Sequence, residues 1–232
     1  MSPSPFNPPI TLTTPSHTII ISDATPADIP SFSAISYDTY VTNPMLDACY
    51  GTASRDACIA SNIERWKLDW PRPGRHVYKA VDAATGEIVG VAKWVFPHTP
   101  TPPPEALAKV GFPEGVNTAI LGAFFGMSLE RRERWMKWED MYQMNVLAVT
   151  PAYQRLGIGF ALLAPVLKLA DAEGRKAWVE ATPEGAGLYT KFGWVECDER
   201  LKFDLAEFNA GEGVLETTWF LVREPGAGGP GM

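Results

Sequence analysis

The sequence predicts a single α/β domain, on three observations. Strand-like and helix-like segments alternate along most of the chain, and a β-branched strand candidate runs through a glycine turn directly into a long apolar helix candidate at residues 146–173. The length of 232 residues suits one large domain or one domain carrying an insertion. Hydrophobic residues make up 46% and charged residues 20%, so the chain can bury a core and does not read as a disordered polymer. Against 27 Asp and Glu stand 20 Lys and Arg, a formal net charge of -7, which excludes a polybasic nucleic-acid binder.

Residues 1–16 read as a Pro-rich, flexible leader. They hold no Lys or Arg and no apolar stretch of signal-peptide length, so no secretory or mitochondrial address is expected and the cytoplasm is the expected location. His17 to Ser22 is a short β-branched strand candidate, and Asp23-Ala24-Thr25-Pro26 stops it and opens a helix over Ala27 to Val41, despite Pro30. Asp56 to Trp70 is a second helix, with Ile59, Ile63, Trp66 and Trp70 on one face and Pro71 and Pro73 ending it. His76 to Val81 and Glu87 to Val95 form a hairpin through Asp82-Ala83-Ala84-Thr85-Gly86.

The prolines at 97, 100, 102, 103 and 104 remove donors and block helix and central strand alike. Helical character returns over Val116 to Glu139, so residues 97–139 read as an insertion within the domain. Its charged run Glu130 to Arg134, flanked by Trp135 and Trp138, is either a solvated face with packed tryptophans or a segment covering a substrate. The weakly charged stretch 116–129 falls short of the roughly 20 apolar residues of a membrane span, and no membrane partner is expected.

Met141 to Val149 is a strand ended by Thr150-Pro151. Gly157 to Glu173 is a helix ending at Gly174, with a bend expected at Pro165. Ala177 to Ala181 is a strand, Glu184 to Phe192 a short helix, and Trp194 to Phe203 and Leu215 to Val222 are the last strands. The domain thus spans 17–223 with about six to seven strands, and 224–232, rich in glycine, is expected to be a mobile tail. Cys49, Cys58 and Cys197 are scattered without a CxxC pair, and His17, His76 and His98 lie far apart. Neither a disulfide framework nor a metal site is expected. Cys197 is expected to fill core.

The chemistry concentrates at Val149-Thr150-Pro151-Ala152-Tyr153-Gln154-Arg155-Leu156-Gly157-Ile158-Gly159. A glycine turn that opens a helix points backbone N–H groups into one concavity, next to the positive end of the helix dipole, and suits a pyrophosphate. A dinucleotide fingerprint would need Gly or Ala where Leu162 stands, and a Walker loop is absent.

The run Gln154-Arg155-Leu156-Gly157-Ile158-Gly159 resembles the acetyl-CoA loop of the GNAT-superfamily N-acetyltransferases, Arg/Gln-x-x-Gly-x-Gly/Ala. The later Gly187-Leu188-Tyr189-Thr190-Lys191-Phe192-Gly193-Trp194 is similar to the same family's Leu-Tyr-x-Lys-x-Gly-Phe, with Trp194 in place of Phe. Together the two cover residues 141–203. The resemblance implies a mixed central sheet flanked by helices and splayed after Val149, with acetyl-CoA as cosubstrate. It implies that backbone groups of Leu147 and Val149 hold the pantetheine arm. It further implies that Gln154, Arg155, Leu156, Gly157, Ile158, Gly159 and Phe160 hold the pyrophosphate.

Acetyl transfer to an amine needs a deprotonated nucleophile, donors for the oxyanion and an acid for the leaving thiolate. Tyr189, by its place in the motif, is the candidate acid, its alternative being a packed ring. The N–H of Val149 is the candidate oxyanion donor. Alternation along Trp178-Val179-Glu180-Ala181 puts Trp178 and Glu180 on one face, and Glu180 is read either as a desolvated general base or as half of a structural salt bridge. Asn145 shares parity with Leu147 and Val149 and is a candidate to hold a water or the amine. The expected acceptor is a small-molecule amine, with Trp66, Trp70, Trp135 and Trp138 read either as an aromatic wall or as core. A peptide amine, or a non-catalytic acyl-CoA sensor, is the alternative, and the sequence leaves a homodimer open.

Overall fold

The computed structural model describes residues 4–229; residues 1–3 of the expected leader and 230–232 of the expected tail lie outside the described residues. The strands are β1 (Ile10–Thr13), β2 (Thr18–Asp23), β3 (Arg75–Asp82), β4 (Ile88–Val95), β5 (Met141–Val149), β6 (Lys176–Ala181), β7 (Val195–Glu196), β8 (Leu201–Asp204) and β9 (Val214–Arg223). They form one sheet in the order β1-β2-β3-β4-β5-β6-β9-β7, with β8 also on β9. Every pairing is antiparallel except β5 with β6. The helices are α1 (Ile29–Tyr40), α2 (Pro44–Tyr50), α3 (Arg55–Asp69), α4 (Glu105–Lys109), α5 (Thr118–Trp135), α6 (Ile158–Ala172) and α7 (Pro183–Thr190). The α/β fold with a mixed sheet stands as expected.

Among the described residues nine strands replace the expected six or seven, for two reasons. The leader is not wholly flexible: Ile10 to Thr13 pairs with β2, and Phe6 before it is buried against Tyr78, ring centroids 4.3 Å apart. The strand expected over 194–203 is two short ones, β7 and β8, both on β9. The tail also differs from expectation at its start. Gly226 donates its N–H to Asp171, and Ala227 lies so close to Gly193 that a Cβ there would come within 2.8 Å of Ala227.

Helix α2 fills a stretch in which no element is expected. Asn43 caps it, its Oδ1 accepting from the N–H groups of Met45 and Leu46, and Pro44 occupies the first turn, where no N–H is needed. Helix α5 ends at Trp135, four residues earlier than expected. Helix α6 continues through Pro165, which costs a hydrogen bond, while Leu162, Leu163, Val166, Leu167 and Ala170 bury a whole face. That face packs on Ile19, Tyr78, Ala92, Trp94 and Met144 of the sheet. The opposite sheet face carries α1 and α3 through Phe32, Trp66, Val77, Val91 and Ala148. Beside them, α2 and α5 cover Trp178 and Phe220 of β6 and β9.

The sheet opens between β5 and β6. Their parallel pairing runs only from Met141 with Lys176 to Met144 with Val179. At the next residue β5 bulges: Met144 faces Trp94 and Val146 faces Lys93, which leaves Asn145 without an opposite number on β4. A bulge bends its strand and increases its twist, so β5 turns away with β4 while β6 continues along β9 as far as Ala181 with Trp219. The splay therefore begins at Asn145, four residues before the expected point.

Candidate active site

The bulge and the splay place the sequence-derived residues around one small cavity. It measures about 90 Å³ and is walled by Asn145 and Leu147 of β5, Glu180 and Ala181 of β6, Leu188 and Tyr189 of α7, and Tyr40 of α1. The three candidate catalytic residues thus meet. The expected parity of Asn145 with Leu147 and Val149 does not survive, because the bulge interrupts the alternation. Met144, Leu147 and Val149 pack with the α6 core, while Val146 and Ala148 face α1 and α3. Asn145 itself is exposed.

Thr150 donates its N–H to the Val89 carbonyl, so the even positions of β5 pair with β4 and the backbone groups of Leu147 and Val149 point toward the gap that β6 has left. The edge is braced rather than bare. Tyr40 donates its hydroxyl to the Leu147 carbonyl at 3.4 Å, and the Val149 carbonyl accepts from Gln154 Nε2 at 3.0 Å and Thr39 Oγ1 at 3.3 Å. Burial pushes the Tyr40 phenol up to about 12, so it stays a donor.

From Val149 the chain turns through Pro151–Tyr153, a single 3-10 turn, into α6. Arg155 at φ 64° and Gly157 at φ 85° both lie in the left-handed region, which is what folds the loop back onto the helix start. Gly157 is the N-cap, and no side chain caps the helix. Its first N–H groups are open to an anion, and the macrodipole adds positive potential there. Gly159 has a different reason for lacking a Cβ: one there would stand 3.1 Å from Leu188 Cδ2, where α6 meets α7. Phe160 stacks on Phe192 at 4.6 Å, so its ring packs α6 to the end of α7 and only its backbone faces the loop. Leu156 and the buried Ile158 join the same core. Tyr153 anchors the turn, donating to Asp82 Oδ2 at 3.1 Å, an oxygen that also meets His17 Nδ1 at 2.7 Å.

Tyr189 is buried, edge-on to Trp194 at 5.3 Å, and burial together with nearby Tyr40 pushes its phenol far above the usual range. It remains protonated at any working pH. Glu180 is not the unpaired, desolvated carboxylate of the first alternative. Arg132 of α5 donates Nε to Oε1 and Nη2 to Oε2, both at 2.7 Å, and Trp178 Nε1 donates to Oε1 at 3.3 Å. Burial works against the Arg132 charge, but its hydrogen bonds to Glu180 prevail and raise its pKa. Glu180 thus forms the salt bridge of the second alternative, which joins β6 to α5.

A second, larger cavity of about 230 Å³ adjoins the first, sharing Tyr40. Residues from α1, α2, α3, α5, β5 and the segment before α5 wall it, among them Tyr37, Tyr50, Phe112, Leu121 and Phe125. Of the four tryptophans considered as an aromatic wall, only Trp66 lines it; Trp135 is 37% exposed and donates to Asp198. Sequence reasoning missed Tyr40, Arg132 and this cavity. Tyr37 and Tyr40, three apart on an expected helix, were the available signal. His76 stacks on Phe96, His98 meets Trp138 edge-on, and neither histidine lines either cavity. Cys197 is partly buried, packed beside Trp178 and Phe220. No group of three or more His, Cys, Asp or Glu placed to hold a metal occurs among the described residues, and none of their helices is long and apolar enough to cross a membrane.

Residues 120–209 match the family model described as an acetyltransferase (GNAT) domain, a span that runs from α5 past β8. A search of curated protein sequences finds no match. Among solved structures, the chain is similar to the C-terminal condensation domain of Ebony in complex with beta-alanyl-dopamine, at TM-score 0.61 and 10% identity over 90% of this chain and 99% of that one. It is similar to a putative arylalkylamine N-acetyltransferase 7 of the yellow fever mosquito Aedes aegypti, at TM-score 0.60 and 15% identity over 93% and 95% of the two chains. It is also similar to the PaiA N-acetyltransferase of Thermoplasma acidophilum in complex with coenzyme A, at TM-score 0.52 and 11% identity over 89% and 98%. At these identities the likeness is one of fold.

Proposed function

Since residues 120–209 match the GNAT acetyltransferase domain model and the chain has a similar fold to solved acetyltransferases, we propose that the protein transfers an acetyl group from acetyl-CoA to the primary amine of a small molecule. The observation that carries this reading is the nearness of the uncapped α6 start to the gap in the sheet: Gly159 faces Leu147 and Leu188, which line the smaller cavity together with Tyr189.

In this reading, the N–H groups between Arg155 and Phe160 bind the pyrophosphate of acetyl-CoA, and the groups of Leu147 and Val149 hold its pantetheine arm. The Val149 N–H faces the thioester oxygen as charge develops on it. The amine nitrogen attacks the thioester carbonyl carbon, a C–N bond forms, and the C–S bond breaks. Tyr189, neutral at working pH, gives its phenolic proton to the departing sulfur and regains one from solvent once the products leave. The proton lost by the amine leaves through solvent at Asn145, which is exposed at the mouth of the gap. Glu180 positions α5 and does not take this proton.

The test is calorimetric titration with acetyl-CoA followed by thiol release with a panel of amines in the same preparation. Binding with amine-dependent release is expected; no binding overturns the reading, and binding without release from any amine favours an acyl-CoA sensor.

A further inference from the structure

The larger cavity bears on which amine is accepted, an inference that rests on the acetyltransferase reading. Val146 lines it, while the neighbouring Asn145 and Leu147 line the smaller cavity, and Tyr40 belongs to both. A molecule lodged in the larger space therefore reaches Tyr40, at the border of the smaller one.

Size and chemistry restrict that molecule. The space measures about 230 Å³. A dry apolar cavity of about 150 Å³ already takes up benzene, so this one has room for a ring and a short arm. Tyr37, Tyr50, Phe112, Leu121 and Phe125 give it an aromatic and aliphatic wall, and no Asp or Glu lines it. Burial raises the Tyr37 and Tyr50 phenols and the Cys49 and Cys58 thiols above their usual values, so they contribute no negative charge. The single charged lining residue is Arg65, whose guanidinium sits 4.4 Å over the Phe112 ring and donates to the Val110 carbonyl. A second ammonium in this space would lose its hydration, find no carboxylate and meet a guanidinium instead. The net charge of -7 draws cations to the surface in general, but this wall selects against them.

We propose that the cavity walled by Tyr37, Tyr50, Phe112 and Phe125 selects monoamines carrying an uncharged aromatic or alkyl tail and rejects polyamines and other multiply charged acceptors. The amine nitrogen points toward Tyr40 and the tail fills the space between α3 and α5. The apolar wall also favours the neutral, nucleophilic form of the amine.

The experiment measures kcat/KM of the full chain with acetyl-CoA for 2-phenylethylamine, hexylamine, putrescine and spermidine. The first two are expected to exceed the last two by about 100-fold, the scale of discrimination against an unpaired buried charge. Phe125→Glu places a carboxylate at the rim of the cavity, on a residue 54% exposed and therefore tolerant of the change. It is expected to lower kcat/KM for 2-phenylethylamine and raise it for putrescine, with acetyl-CoA affinity unchanged. Equal or greater turnover of the polyamines by the wild-type chain overturns the inference, as does a Phe125→Glu variant with an unaltered ratio. Calorimetric titration with each amine alone reads the cavity independently. Uptake of 2-phenylethylamine over putrescine without any acetyl-CoA binding sustains the selectivity and overturns the acetyltransferase reading, whereas preference for putrescine, or uptake of none, overturns the inference itself.

Discussion

Arg132 and Glu180 join α5 to β6 by two parallel hydrogen bonds of 2.7 Å, one strand residue beyond the point where β6 parts from β5. Their side chains are 25% and 15% exposed, so the pair is largely withdrawn from water and each partner depends on the other. Through it the helix that walls the larger cavity is fastened to the strand that walls the smaller one.

Replacing Arg132 with Met is therefore expected to lower stability by about 1–3 kcal/mol, the scale of charged hydrogen bonds lost in a partly buried place. It should also raise the acceptor KM more than it changes acetyl-CoA affinity. Glu180→Gln keeps one acceptor oxygen and should preserve the shape of the pH–rate profile. A Glu180→Gln protein with an unchanged melting temperature and turnover reduced by about a thousand-fold would instead make Glu180 the base.

Tyr189→Phe removes the proposed acid without emptying its place beside Trp194. The expected result is a fall in kcat of about 100-fold with little change in the acetyl-CoA KM. Because burial disfavours the phenolate and raises the Tyr189 pKa, the acid form persists as pH rises. Wild-type activity should consequently climb toward the pKa of the acceptor ammonium and hold on the alkaline side. An alkaline limb near pH 8–9 that disappears in the Phe variant would contradict this.

The contiguous parts of this site were legible in the sequence and the bridged parts were not. The loop from Gln154 to Gly159 and the Leu188-Tyr189 pair announce themselves because glycine at a positive φ and helix spacing are local matters. The shared face of Trp178 and Glu180 follows from simple alternation, and the Trp178 indole does donate to Glu180. What failed were features decided by distant partners. Whether a strand residue bulges depends on its neighbour across the ladder, so Asn145 looked in step with Leu147 and Val149. Arg132 read as one charge in a solvated run because its partner lies 48 residues away. The larger cavity draws its wall from six separate segments, and no single window of sequence contains it.

The two loop glycines should respond differently to alanine. At Gly157 a Cβ meets nothing nearer than Leu12 at 3.9 Å, but φ is 85°, so the cost is backbone strain of about 1–2 kcal/mol. Gly157→Ala should weaken acetyl-CoA binding and stability together. Gly159 lies inside α6, where Ala is intrinsically favoured by up to about 1 kcal/mol, yet its Cβ would press the tip of Leu188 into the smaller cavity. Gly159→Ala should leave the melting temperature nearly unchanged while raising the acetyl-CoA KM. Equal effects of both substitutions on stability would refute the distinction, and thermal melts beside calorimetry decide it.

Arg223 is fully buried and hands its charge to Asp171, donating Nη1 and Nη2 at 2.5 and 2.9 Å while Nε donates to the Phe192 carbonyl at 2.7 Å. Phe192 in turn stacks on Phe160, so this one guanidinium fixes α6 to the α7–β7 corner behind the loop. Burial alone would raise the Asp171 pKa, but hydrogen bonds from Arg223 and the Gly226 N–H outweigh it and hold the carboxyl below its usual range. A carboxyl depressed in the folded state contributes stability that is complete above its unfolded pKa of about 4 and is lost as pH falls through the folded value. Asp171→Asn leaves Arg223 uncompensated and should cost about 3–5 kcal/mol at pH 7, measured by urea unfolding. The gap between wild type and variant should narrow as pH drops below about 4, since protonation then removes the same charge from the wild type. A variant as stable as wild type at pH 7, or a gap that widens in acid, would mean that the pair does not hold this corner.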